Sequence, residues 1–492
     1  MAARLPTLEL LSLDSAGLQR KLDAGLLTSV ELVQECLAQI DKHDHRGAKL
    51  NAMISIVPNH ILMERSAQLD RERTAGRVRS RFHGIPILIK DAIATGPSLE
   101  LPTTLVTRDA WTENSDLVEQ LEEMGAIILG KTNLNEFCNF KGDANSNGWS
   151  AIAGQTQSAY LARKSNETGL GQSDPCGSST GSAVGVSAGY APLALGTESI
   201  GSIVMPASRA GLCRGGGLAI STPDLALLSQ TALTEEKRNL LPQEGYQKFL
   251  TKTFDSLRIG FLDPSKWSLH PNIVQLDEHI LKEMNEIYFA AIERIKNHAT
   301  DASVAYPVDI PPASDLWYEG QNPIDVVMCK QALEGWLGEV KVPGLNTIED
   351  VIKFNLDHQQ QELLQGIYCA LNQLLRASRD PPSQATYEAV KKQMKIVSKD
   401  NGIDKLFREQ NLNILAFPMD SLMVFISAAS GYPIATMPAG VIQADGRPYG
   451  LGIMAQAGRE NLMFQFMSAF KTHFLPRVVP SRVRDDDSNQ QL

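Results

Sequence analysis

The chain has 492 residues, 43% of them hydrophobic, and a formal net charge of −10. That composition supports a large buried core, in several domains or in one large α/β enzyme. Lysines and arginines are scattered, which argues against a nucleic-acid partner, and no stretch is long and apolar enough to span a bilayer.

Residues 1–27 read as an N-terminal extension. Thr28-Ser29-Val30-Glu31 has the pattern of a capping box, and Leu32, Val33, Cys36, Leu37 and Ile40 follow it at helical spacing. The charged run Asp41 to Arg46, with His43 and His45, reads as a solvated loop, and an amphipathic charged stretch continues to about Arg81. Gly84 to Asp91 is a short apolar run ending in charge, which suits a buried strand. Ser115 to Met124 predicts a helix with Leu117, Val118, Leu121 and Met124 on one face, stopped by Gly125. Ala126 to Leu129 would be the next strand, completing a unit of the kind that builds parallel sheets.

Residues 141–181 are rich in Gly, Ser, Asn and Gln and read as loop. Ser182 to Tyr190 predicts a helix whose neighbouring glycines (Gly181, Gly185, Gly189) make a smooth ridge for close packing. From about Lys252 the pattern changes. Residues 274–300 and 324–410 are mostly helical and charged, as expected of an inserted or covering helical layer over about 274–410. Asn413 to Phe417, Gly431 to Pro438 and Gly450 to Met454 predict strands, and Leu462, Phe466 and Phe470 mark a closing helix. Residues 476–492 read as a disordered polar tail.

The six cysteines (Cys36, Cys138, Cys176, Cys213, Cys329 and Cys369) are isolated, with no C-x-x-C pair. They read as small buried hydrophobes in a reducing, cytoplasmic setting, and the N-terminus lacks the order of a secretory signal. No H-E-x-x-H or other metal cage is present, so no metal or organic cofactor is expected.

Three places could carry chemistry. Lys90 ends an apolar strand, where desolvation favours a neutral amine able to act as a base, although strand-end lysines ordinarily snorkel to solvent. Gly177-Ser178-Ser179-Thr180-Gly181 places hydroxyls at a helix start, where a plain N-cap is the common use. Gly196-Thr197-Glu198-Ser199-Ile200-Gly201-Ser202 is a turn that could set a serine beside free backbone N–H groups, or simply join a strand to a helix.

Taken together, Gly-Ile-Pro-Ile-Leu-Ile-Lys-Asp, Gly-Lys-Thr-Asn (130–133), Gly-Ser-Ser-x-Gly-Ser and Gly-Thr-Glu-x-x-Gly-Ser-Ile resemble the amidase signature family in order and spacing. The resemblance extends to Gly431–Pro438 and Gly446–Gly450 and covers most of residues 28–475, the expected domain. It implies an α/β fold with a large mixed central sheet, helices on both faces and an additional helical layer. It also implies an amide hydrolase acting on a small-molecule carboxamide. Ser202 would be the acyl-enzyme nucleophile, Ser178 a bridging serine after a cis peptide bond, and Lys90 the base. The backbone N–H groups of Ser199, Ile200, Gly201 and Ser202 would bind the oxyanion, and Cys138 would line the acyl pocket. A homodimer is compatible with the sequence.

The chain departs from the family pattern. Ile200 stands where Gly or Asp is frequent, and a block after Leu212 is largely missing, with a smaller shortening after Thr104. The shortened block motivates a second expectation, an amidase-like chain with reduced or lost turnover. A third is an esterase with Ser179 as nucleophile, since Gly177–Gly181 also fits G-x-S-x-G. Ser468-Ala469-Phe470-Lys471 matches S-x-x-K without its companion motifs. An amidotransferase subunit usually carries a Gly-Gly-Ser-Ile-Arg stretch, which this chain lacks.

Overall fold

The computed structural model describes residues 6–101, 113–142, 146–164, 171–269, 278–299, 303–320, 322–327, 330–363, 371–474 and 476–484. The shortening after Thr104 and the part of the expected 476–492 tail from Asp485 lie outside the described residues. The tail reading of 476–484 is corrected: Val483 is buried in the main core, and Arg477 Nη1 donates to the Leu11 carbonyl at 2.8 Å.

Among the described residues thirteen strands occur in chain order: β1 (Met53–Ile56), β2 (Pro86–Lys90), β3 (Ile127–Thr132), β4 (Trp149–Ser150), β5 (Gly154–Gln155), β6 (Leu193–Leu195), β7 (Cys213–Arg214), β8 (Leu218–Ala219), β9 (Arg258–Leu262), β10 (Ser303–Val308), β11 (Ile414–Pro418), β12 (Ile434–Val441) and β13 (Pro448–Met454). Eleven of them form one mixed sheet, ordered β1-β3-β2-β6-β8-β7-β12-β13-β11-β9-β10, and β4 pairs with β5. β2 runs parallel to both β3 and β6, with α5 (Asp116–Glu123) crossing between β2 and β3 as the sequence predicts. Every residue of β2 and β3 is buried, which is why their sequences run apolar without alternation.

At the N-terminus, α1 (Thr7–Ser12) and α2 (Ser15–Asp23) give Leu10, Leu11, Leu18 and Leu22 to the main core. The backbone N–H of Ser15 donates to Asp224 on α8 (Thr222–Thr231) at 2.9 Å. The expected capping box opens α3 (Ser29–His43): Thr28 Oγ1 accepts from Glu31 N at 3.1 Å, and the Glu31 carboxylate accepts from Thr28 N at 2.8 Å. The solvated-loop reading of Asp41 to Arg46 is corrected here. α3 continues through His43, and both His43 and Asp44 are buried because the Asp44 carboxylate accepts from Ala52 N at 2.7 Å, drawing the chain into β1. α4 (Asn59–Thr74) then leads to β2.

α6 (Thr180–Ser187) packs against β2, β3, β6 and β8 with every residue of the helix buried, and its Gly185 lies against Leu88 of β2. A Cβ on Gly181 would lie 2.3 Å from the Ala52 carbonyl and 2.5 Å from Asn133 N, both backbone atoms. An Ala in a helix interior ordinarily gains about 1 kcal/mol over Gly, but overpacking against rigid backbone costs ~1–3 kcal/mol or more. Gly181→Ala is therefore expected to lower the urea midpoint with an unchanged m-value, and a raised midpoint would contradict this packing.

The residues left after Leu212 still complete the sheet. β7 and β8 form a tight hairpin between β6 and β12, with Gly217 so close to Leu228 of α8 that a Cβ would sit 2.3 Å from its side chain.

Helices Lys330–Val340, Ile348–Asp357 and Asn372–Arg379 form an additional layer around their own small core, which also takes in Phe140. It is narrower than the expected span of about 274–410, which is corrected here: β10 joins the central sheet, and helix Glu278–His298 gives Tyr288, Ile292 and Ile295 to the main core. Lys141, fully buried, ties this layer to the loop after β3. Its Nζ pairs with Glu136 and with Glu362, the latter at 3.0 Å, and donates to the Glu362 carbonyl at 2.6 Å. Breaking a buried pair from one side strands the opposite charge, at a cost of ~3–5 kcal/mol. Lys141→Met strands two carboxylates, so its thermal unfolding is expected to fall by many degrees, whereas a shift of under 2 °C would show the cluster to be dispensable.

Candidate active site

Lys90 closes β2 and is wholly buried. Its Nζ lies 2.7 Å from Ser178 Oγ and 2.7 Å from Thr197 Oγ1, with Cys138 Sγ at 4.0 Å. Burial pushes the Lys90 amine below the ordinary lysine range, opposed by Cys138 and Glu198. A strand-end amine that cannot reach water, placed between two hydroxyls, is poised to be neutral and to accept a proton.

Ser178 is also fully buried and follows a cis peptide bond from Gly177. Its carbonyl accepts from Asn135 N at 3.1 Å, and the Asn135 side chain occupies the place a Gly177 side chain would need, 2.4 Å from where its Cβ would stand. Ser179 N donates to the Ser202 carbonyl at 2.9 Å, so the strand of chain after Ser178 touches the residue expected to attack.

Ser202 is 6% exposed and stands just ahead of α7 (Val204–Arg209). Gly201 has φ +84°, a left-handed conformation open to glycine, and it turns the chain sharply into Ser202. Among the described residues, the backbone N–H groups of Ser199, Ile200, Gly201 and Ser202 meet no protein acceptor. Ser199 is exposed, and Ile200 is half-buried against a buried apolar cluster that includes Val204, Met205 and Met423. Cys138 lies in a segment where Phe137, Cys138 and Asn139 all have positive φ, and it is half-buried beside Lys90.

Two partners were not singled out from the sequence. Thr197 shares the Lys90 amine. The Glu198 carboxylate accepts from Ile203 N at 2.9 Å and Val204 N at 3.1 Å and pairs with Arg214 Nη2 at 3.2 Å. It thereby caps the start of α7 and anchors the shortened β7–β8 hairpin to the turn that carries Ser202. Only their place inside the Gly-Thr-Glu motif could have flagged them.

The Amidase family profile matches residues 31–215. A peptide amidase from Stenotrophomonas maltophilia superposes with a TM-score of 0.80 at 28% identity, covering 95% of this chain and 98% of that one. The chain belongs to the amidase signature family. A putative amidase of Schizosaccharomyces pombe is 26% identical over 94% of this chain and 85% of its own length. A probable amidase of Arabidopsis thaliana is 27% identical over 92% of this chain and 88% of its own length. The Schizosaccharomyces alignment runs over 527 positions, more than the 492 residues here, so that relative carries residues with no counterpart in this amidase-family hydrolase.

Ser179, the alternative nucleophile, follows bends and turns rather than a strand, is fully buried, and its Oγ lies 3.3 Å from the Thr197 carbonyl. Its Oγ also accepts from Thr197 N at 3.3 Å, so the hydroxyl is engaged by the Thr197 backbone. Burial pushes the Cys36 thiol up to about 12, and raises the thiols of Cys176 and Cys213 as well, in keeping with their reading as small core side chains. Among the described residues no helix is long and apolar enough to cross a membrane, and no group of three metal-ligating side chains comes together.

Proposed function

We propose that this protein hydrolyses a linear carboxamide through an acyl-enzyme on Ser202. The proton of Ser202 passes through Ser178 to the neutral amine of Lys90 as Ser202 Oγ attacks the carbonyl carbon. The resulting ammonium returns that proton through Ser178 to the departing nitrogen, so the C–N bond breaks with release of a neutral amine. Water then attacks the ester by the same route, giving the carboxylic acid and restoring Ser202. The free N–H groups of Ser199, Ile200, Gly201 and Ser202 serve the oxyanion.

The observation that carries this reading is the 2.7 Å approach of Lys90 Nζ to Ser178 Oγ inside a fully buried site. The Glu198–Arg214 pair supports an active enzyme despite the shortened block, because it holds the Ser202 turn from the hairpin that remains. The substrate is a small amide, and peptide amides are the first class to assay, given the shared fold with a peptide amidase. Free cysteines suit a cytoplasmic setting. The test is a panel of aryl, alkyl, fatty-acyl and peptide amides assayed with wild type, Lys90→Ala and Ser202→Ala, alongside a serine-reactive probe. Labelling of Ser202 with turnover supports the proposal. A folded wild type that neither labels at Ser202 nor cleaves any amide refutes it, in favour of a chain that only binds.

A further inference from the structure

Ser178 and Ser202 arrive at the site from different parts of the chain, Ser178 from the segment 171–177 and Ser202 from the turn before α7. One buried side chain spans both. Arg209, 2% exposed, ends α7 and donates from Nη1 to the carbonyls of Gly171 at 2.8 Å and Asp174 at 2.7 Å. Its Nη2 and Nε donate to the Asp420 carboxylate at 3.0 and 3.3 Å. Asp420, 3% exposed, also accepts from Arg447 Nη1 at 3.0 Å, and Arg447 Nε donates to Gln172 at 3.2 Å. Asp174 in turn accepts from Cys176 N at 2.6 Å, two residues before Ser178, and from Asn147 Nδ2 at 3.3 Å. The segment leading to Ser178 is thus gripped at residues 171 and 174 from the helix that begins beside Ser202, and at residue 172 by Arg447, which shares Asp420 with Arg209.

We propose that Arg209 is a positioning residue, clamped on Asp420, that fixes the Gly171–Cys176 segment and so sets Ser178 against Ser202, with the ionised Asp174 carboxylate closing the clamp. This rests on the relay reading above. A buried ion pair adds little stability over an apolar side chain of equal volume, so stability alone is a weak reason for it. The geometry gives a better one: half of the clamp's bonds go to loop carbonyls, which a planar five-donor fork can reach together with a carboxylate and a lysine cannot.

The clamp also has a pH dependence. Asp174 is pushed up to about 6 by burial, against the pull of Arg209 and then the Cys176 N–H. The charged and titratable groups around it are Arg209, the more distant Arg163 and the Cys176 thiol, with Asp420 and Arg447 completing the cluster around Arg209. With Asp174 ionised, two carboxylates face two guanidinium groups. As pH falls through about 6, Asp174 gains a proton, the Cys176 N–H loses a charged acceptor, and Asp420 alone faces both arginines. Turnover then falls on the acid side. Removing Arg209 removes a group that holds Asp174 down, so this limb moves to higher pH.

The test compares wild type, Arg209→Lys and Asp174→Asn by amide hydrogen exchange and by kinetics across pH 5–9. In Arg209→Lys, peptides covering 171–179 are expected to exchange roughly tenfold faster while β2 and β3 keep their protection. Its kcat should fall ~10- to 100-fold with KM within threefold, since a misplacement near 1 Å costs about that much. Asp174→Asn should flatten the Asp174 part of the acid limb, leaving only that of Lys90. Unchanged exchange together with kcat within twofold of wild type overturns the clamp. If Arg209→Lys does not fold, an acid limb in Asp174→Asn that matches wild type overturns it instead. The two readings fail separately. Faster exchange in a protein whose wild type cleaves no amide sinks the relay and keeps the clamp; unmoved exchange in an active amidase sinks the clamp alone.

Discussion

Ser202→Ala is expected to abolish amide turnover, by ~10⁴- to 10⁶-fold in kcat, the range for losing a nucleophile from a relay that acts as a unit. The fold should survive, because what Ser202 gives the scaffold is its backbone: the carbonyl that accepts from Ser179 N at 2.9 Å is untouched by the change. A side chain 6% exposed loses one oxygen and no packing carbon. Thermal unfolding within a few degrees of wild type, loss of serine-probe labelling and loss of turnover should therefore appear together. Adding Lys90→Ala to Ser202→Ala should cost little more, since a base without its nucleophile has no proton to take. If Ser202→Ala retained more than about 1% of wild-type kcat, above any contaminating activity, the attacking group would be another, and Ser179→Ala would be the next variant to make.

The parts of the fold legible in the sequence are those with a strong local signature. β2 and β3 are buried on both faces and so read as unbroken apolar runs; α3 announces itself by its capping box; the α6 glycines matter because Ala52 and Asn133 backbone comes within a Cβ's reach. What escaped were elements defined by distant partners. β7 and β8 are two residues each, and β7 meets β12 through the single pair Thr436 and Arg214, more than two hundred residues apart in the chain. β1 is a four-residue edge strand in the uncharged run 50–58, too short to stand out between two charged helical stretches, and the burial of His43 has no local signal because it follows from the distant Asp44–Ala52 bond. The site follows the same division. Lys90, Ser178 and Ser202 each have an ordinary local reading and could be named only because their motifs together resemble the amidase signature, while Thr197 and the Glu198–Arg214 pair take on meaning only once the turn and the hairpin are placed side by side.

Lys90 gives the second large effect. Lys90→Ala is expected to lower kcat/KM by ~10²- to 10⁴-fold, the usual worth of general acid–base catalysis. Lys90→Arg separates a base from a mere positive charge, because a guanidinium cannot be deprotonated in a protein. If Lys90 served only to attract the carbonyl oxygen, Arg would restore part of the rate; as a proton acceptor it should be as poor as Ala. The pH profile carries the same distinction. Burial depresses the Lys90 amine, so in wild type the neutral fraction, and with it kcat/KM, rises with pH through a folded-state value below 10.5. That limb should be missing from Lys90→Ala. Stability runs the same way: between the depressed folded value and the unfolded one near 10.5, the unfolded chain binds more protons, so wild-type stability rises with pH across that window. In Lys90→Ala this rise should disappear, leaving a flatter curve. A wild type whose rate falls with increasing pH through the same window, or a Lys90→Arg enzyme with at least a tenth of wild-type activity, would mean that Lys90 works as a cation and that the Ser178 hydroxyl donates to another group.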